Sequence, residues 1–114
     1  MNYSFKSKED WFYINLQEDK YKILENFTNY GWTAYKVQEI IDGVEKGKTK
    51  PKESACEWAN EDVYVISNEN GLFLIDLMAQ RAGETDQDKL GLQLTHQEFI
   101  QFLQHFKKFI EQNS

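Results

Sequence analysis

Residues 62–80 read DVYVISNENGLFLIDLMAQ, two apolar runs rich in Val, Ile, Leu and aromatics that meet at Asn70-Gly71. The pattern predicts a β-hairpin, because Asn-Gly tolerates the positive φ that suits the right-handed twist of paired strands. A two-residue loop sets Ile66 opposite Ile75, and a four-residue loop over 68–71 sets Ile66 opposite Phe73. Side-chain parity is the same in both registers. One face therefore carries Tyr64, Ile66, Phe73, Ile75 and Leu77, and is expected to need cover, since each side chain gains about 1.5–3 kcal/mol only when fully removed from water. The opposite face mixes Val63, Val65, Leu74 and Met78 with Ser67 and Asp76, which predicts partial burial.

Two further segments are expected to supply the cover. Thr95 and Glu98 have capping-box spacing, Leu94 and Phe99 the spacing of a hydrophobic staple, so a helix is predicted to begin at His96 and run to Gln112. Phe99, Phe102, Leu103, Phe106, Phe109 and Ile110 share its stripe. Thr33 is the predicted N-cap of a helix to Lys46, with Val37, Ile40, Ile41 and Val44 at helical spacing and Gly47 as a left-handed stop.

Upstream, residues 3–6 and 11–16 read as a second hairpin whose apolar face is Phe12, Ile14 and Leu16. Residues 18–26 fit either a short helix carrying Tyr21, Leu24 and Phe27 or a third strand. Residues 54–60 fit helical turns or an edge strand. Residues 46–52, KGKTKPK, read as a solvated connector, and 81–89 as a polar loop followed by the alternating Leu90, Leu92 and Leu94. Together these give one α+β domain over 1–114: a mainly antiparallel sheet of four to five strands with two main helices packed on it.

Composition bounds the function. At 114 residues and 13.5 kDa the chain is long enough for one core. A hydrophobic fraction of 40% argues against disorder. No run has the length of a membrane span, and the opening MNYSFKSKEDW lacks the apolar stretch of a secretory signal, so a cytoplasmic protein is expected. The formal charge of −6 disfavours nucleic acid as a direct partner and favours a basic protein.

The motifs of chemistry are weak. A single cysteine, Cys56, stands beside Glu57 and Glu61, which oppose thiolate formation; it reads as a small buried residue. His96 and His105 lie apart from it without metal-ligand spacing, so no metal and no cofactor are expected, and both read as solvated helix residues. Glu57 and Glu61 at i and i+4 have the spacing of paired carboxylates, but a solvated acidic patch accounts for them as well. With no Gly-rich phosphate loop and no nucleophile elbow, the chain reads as a binding protein and not an enzyme. Its acidic residues suggest where: Glu57, Glu61 and Asp62 precede the hairpin, Asp76 interrupts its second strand, and Glu84, Asp86 and Asp88 follow. Gathered at one sheet edge, with Trp58 as aromatic anchor, they would make a docking face for a basic partner.

The aromatic N-terminal strand pair, the Gly31-Trp32-Thr33 entry to a helix, EWANEDVYVISNENGLFLIDL from Glu57 and LTHQEFIQFLQHFKKFI from Leu94 resemble small immunity proteins of bacterial toxin systems, including contact-dependent growth inhibition. The order of elements is also similar to small YacL-like bacterial proteins. The first resemblance implies a non-catalytic inhibitor that blocks a cognate toxin, often a nuclease, whose basic site an anionic protein can occupy. The second implies a cytosolic interaction protein or homodimer with no toxin partner. Neither carries over a functional residue, because immunity interfaces differ from family to family, and neither fixes the oligomeric state.

Overall fold

Backbone hydrogen bonding in the computed structural model, which describes residues 1–113, sorts the strands into two antiparallel sheets. Strands β1 (Tyr3–Lys8), β2 (Trp11–Leu16) and β3 (Asn29–Tyr30) form the first, in sequence order. Strands β4 (Cys56–Ala59), β5 (Val63–Asn68), β6 (Gly71–Asp76) and β7 (Gly91–Leu94) form the second. Helix α1 (Ala34–Gly47) connects the sheets; α2 (Leu77–Arg81) and α3 (Gln87–Leu90) lie between β6 and β7, and α4 (His96–Gln112) closes the chain. A 3-10 helix, Asp19–Phe27, bridges β2 and β3. The α+β class is as expected; the single sheet of four to five strands is not. The chain leaves the first sheet after only two residues of β3 and does not begin β4 until α1 is complete, so the sheets share side chains and no ladder.

Of the two readings of residues 18–26 the helix holds, as a 3-10 helix that buries Ile23, Leu24 and Phe27, and the short third strand comes only after it, opposite Trp11 and Phe12. The β1–β2 hairpin turns at Glu9-Asp10, with φ of 51° and 71°. Both centres at positive φ are what a tight hairpin of this hand requires. Neither residue is the glycine or asparagine that usually announces such a turn.

In the central hairpin Ile66 pairs with Phe73, and Asn68 with Gly71. The turn is therefore Glu69-Asn70, tied by the Asn68 side chain to the Asn70 N–H at 2.8 Å. The buried face is the opposite of the expected one: Val63, Val65, Ser67, Leu72 and Leu74 are sealed, while Tyr64, Ile66, Phe73 and Ile75 stay half-buried on the outside. Both faces are apolar enough to pack. What selects between them is the approach of α1, whose Val44 carbonyl accepts the Ser67 hydroxyl at 2.9 Å. Gly47 lies against Ser67 in helical conformation and is no left-handed stop; a Cβ there would meet Ser67 Oγ at 2.4 Å. Leu77 leaves the strand, because Asp76 caps α2 by accepting from the Ala79 N–H at 2.9 Å. Met78, on that helix, is exposed.

Helix α4 starts as its sequence predicts. Thr95 Oγ1 accepts from the Glu98 N–H at 3.1 Å, and the Glu98 carboxylate accepts from the Thr95 N–H at 2.9 Å. That backbone bond holds the Glu98 carboxyl below the usual carboxylate range. A folded-state pKa below the unfolded one means this stabilisation is present above the unfolded pKa and lost as pH falls through the folded value. Glu98→Ala, which removes that carboxylate, is expected to cost about 1 kcal/mol at neutral pH, and the deficit to shrink on acidification; chemical denaturation of both chains across the carboxylate range measures it. The α4 stripe of Phe99, Phe102, Leu103, Phe106 and Ile110, with Ile100, joins the inner residues of both sheets and of α1 in one core. No helix of the described residues is long and apolar enough to cross a membrane.

Candidate docking face

The β4–β5 turn and the β6–β7 connection lie at the same end of the four-stranded sheet. Asn60 Oδ1 accepts from the N–H groups of Asp62 and Val63, which tightens the first. Arg81 ties the two together, with Nη1 on the Glu61 carbonyl and Nη2 3.1 Å from the Asp62 carboxylate. Asn26, from the 3-10 helix, donates to the Asp62 carbonyl at 3.0 Å and to Asp76 Oδ1 at 2.8 Å. Glu84 accepts from the N–H groups of Thr85 and Asp86, with Lys89 at 3.8 Å, and Asp86 caps α3.

The two connections, residues 60–62 and 76–90, thus bring six carboxylates to this end, Glu61, Asp62, Asp76, Glu84, Asp86 and Asp88, and contain two cations, Arg81 and Lys89. They are not equivalent. Asp76 serves as a cap and as the acceptor for Asn26, and Asp62 is paired with Arg81, so Glu61 and Asp88 are the carboxylates without an ion pair or side-chain hydrogen bond among the described residues. Two sequence-predicted members lie elsewhere. Glu57 projects from the outer face of β4, where its carboxylate accepts from the Tyr64 phenol and raises that phenol above its ordinary value. Trp58, the next residue, points to the other face. It stacks on Phe27 with centroids 5.7 Å apart and on Trp32 at 6.1 Å, so it is a half-buried flank of the core and not an anchor in the acidic field.

Sequence reasoning missed the aromatic surface altogether. Trp11, Tyr13, Tyr30 and Tyr35 are the exposed aromatics, with Tyr30 at 65% and Tyr35 at 74% exposure. Trp11 contacts Tyr13 at 6.3 Å and Tyr30 at 5.4 Å, a row across the outer face of the first sheet in which Lys6 and Lys8 stand opposite Tyr13 and Trp11. The signal was present in the alternation that buries Phe12, Ile14 and Leu16, since it leaves Trp11 and Tyr13 outward. A cleft of about 290 Å³ joins Tyr30 to Trp32, Trp58 and Asn60, with Lys36 and Glu39 of α1 at its side. Because Asn60 also organises the β4–β5 turn, the cleft adjoins the acidic end. A second hollow, about 610 Å³, lies over Ile66, Phe73 and Ile75 on the outer face of the four-stranded sheet, with Lys52, Glu57 and Gln93 beside it.

Neither histidine is simply solvated. His96 Nε2 bonds the Asn68 carbonyl at 2.8 Å, pinning α4 to the hairpin turn, and exposed His105 bonds the Tyr3 hydroxyl through Nδ1. Cys56 is half-buried. Among the described residues, no group of three or more His, Cys, Asp or Glu side chains is placed to hold a metal ion. Comparison with protein-family models, with curated proteins and with solved structures finds no match.

Proposed function

We propose that this chain is a cytoplasmic immunity protein that binds a cognate bacterial toxin domain, a nuclease in the leading case, and neutralises it by occlusion without catalysis. The observation that carries the reading is that the two connections meeting at one end of the four-stranded sheet hold six carboxylates and only two cations of their own. A toxin that handles nucleic acid must present a basic surface, and an anionic end on a rigid scaffold meets it with complementary charge. Docking there excludes phosphates from the toxin site, and no bond need be made or broken.

Co-expression with the neighbouring toxin domain tests the reading: cells are expected to survive and the two chains to purify together, and survival lost in the chain's presence overturns it. The double variant Glu61→Lys, Asp88→Lys leaves the paired carboxylates in place and is expected to weaken toxin binding at least about tenfold. Raising the salt should weaken the wild-type complex in the same direction. Salt-independent binding measured by calorimetry would remove the electrostatic mechanism.

The YacL-like homodimer reading is favoured by one feature, the half-buried Ile66, Phe73 and Ile75 beneath the larger hollow. Sedimentation of the isolated chain discriminates: a monomer at high concentration disposes of that reading.

A further inference from the structure

The cleft beside the acidic end has a composition of its own. Tyr30, Trp32 and Trp58 give it three aromatic rings, and Glu39 gives it a carboxylate. The Trp32 indole N–H is already used, donating to the Phe27 carbonyl at 2.7 Å, and its buried ring is stacked on Trp58 at 6.1 Å, so Trp32 backs the cleft and offers it no donor. Lys36 lies three residues before Glu39 on α1 without pairing to it; its ammonium donates to the Gly31 carbonyl at 2.9 Å. Glu39 is exposed, and its carboxylate has no ion pair or hydrogen bond among the described residues.

Aromatic faces carry negative charge density and attract cations, most strongly at tryptophan. A guanidinium suits such a site better than an ammonium, because it is planar, weakly hydrated, stacks on rings and still offers donors to a carboxylate in its plane. At about 290 Å³ the cleft is at the lower bound of small-molecule sites and matches one long side chain. We infer that this cleft receives an arginine side chain of the basic partner, with the guanidinium against the exposed Tyr30 ring and the half-buried Trp58 and paired to Glu39. This rests on the immunity reading for the partner's identity, and adds to it a side-chain class and a place. The aromatic anchor is thus supplied in reverse: the rings are the socket, and the partner brings the plug.

The test uses the full chain and a defined probe, N-acetyl-arginine methylamide, with N-acetyl-norleucine methylamide as the uncharged control of similar length. Indole N–H resonances of Trp58 and Trp32 are followed by NMR up to about 50 mM probe, a range that captures millimolar complexes. Saturable shifts at Trp58 with the arginine probe and none with norleucine are expected. Glu39→Gln, at an exposed position without intrachain bonds, should weaken binding about three- to tenfold, and Lys36→Ala, which removes the like charge, should tighten it. The proposal is overturned by silent indole resonances, by equal response to norleucine, or by a Glu39→Gln chain that binds as well as wild type. If the probe fails while the whole toxin domain still binds with salt dependence, only the arginine socket is lost. If the probe binds and no toxin is neutralised, only the immunity reading is lost.

Discussion

Gly47→Ala is expected to be among the most damaging single-methyl additions this chain can suffer. The added carbon would sit 2.4 Å from Ser67 Oγ, 2.5 Å from its carbonyl oxygen and 2.6 Å from its Cβ, and the carbonyl belongs to β5, one of the two inner strands of the four-stranded sheet. Ser67 cannot rotate away without surrendering its bond to the Val44 carbonyl, and the backbone cannot move without opening β5. Overpacking of this kind costs about 3 kcal/mol or more where backbone must shift, which corresponds to a fall in Tm on the order of 10 °C. Gly43, one helical turn earlier, is the built-in control. A Cβ there meets nothing within 4 Å, so Gly43→Ala should gain up to about 1 kcal/mol from helix propensity. Thermal denaturation of the two variants side by side should move in opposite directions. If both destabilise alike, the close approach of α1 to β5 is not what sets their fates.

Phe102→Ala carries the second large expectation. The ring is fully buried and meets Tyr3 edge-on at 5.1 Å, Phe5 at 6.0 Å, Phe99 at 6.3 Å and Phe27 at 6.4 Å. Those partners come from β1, from the 3-10 helix and from α4 itself, so one side chain holds the first sheet against the helix that also covers the second. Truncating a buried phenylalanine costs about 3–5 kcal/mol, a large share of the 5–15 kcal/mol that keeps a domain folded. Urea titration should show an earlier midpoint, and Phe109→Ala, half-buried at the end of the same stripe, should show a smaller one. Equal losses at the two positions would mean that burial at Phe102 is not the source of its effect.

The elements that could be read from the sequence are those whose signals are local. The box at Thr95 and Glu98 spans one turn, the alternation of Phe12, Ile14 and Leu16 spans one strand, and the α1 stripe repeats within the helix. The choice of hairpin face could not be read this way. Ser67 on the inward face looks like an argument for exposure until its acceptor is known, and that acceptor, Val44, is 23 residues away. Asp76 looks like a surface charge on a strand, yet it caps α2 and receives Asn26 from 50 residues upstream. The candidate site divides the same way. Glu61, Asp62, Glu84, Asp86 and Asp88 come together because they flank turns at one sheet end, which the hairpin reading implies. Glu57 and Trp58 separate because neighbouring residues of a strand face opposite sides, and an edge strand was only one of the alternatives for residues 54–60.

The outer strands of the four-stranded sheet are four residues each, β4 and β7, against six in β5 and β6. The free amides and carbonyls at its margins are therefore few, Glu57 stands exposed on one of them, and Pro51 precedes the single turn of 3-10 helix, Lys52–Ser54, that leads into it. Short, charged margins are poor templates for a further strand from a neighbouring molecule. Stored solutions of the protein should accordingly resist fibril formation, even though half-buried Ile66, Phe73 and Ile75 lie only a strand's width inside.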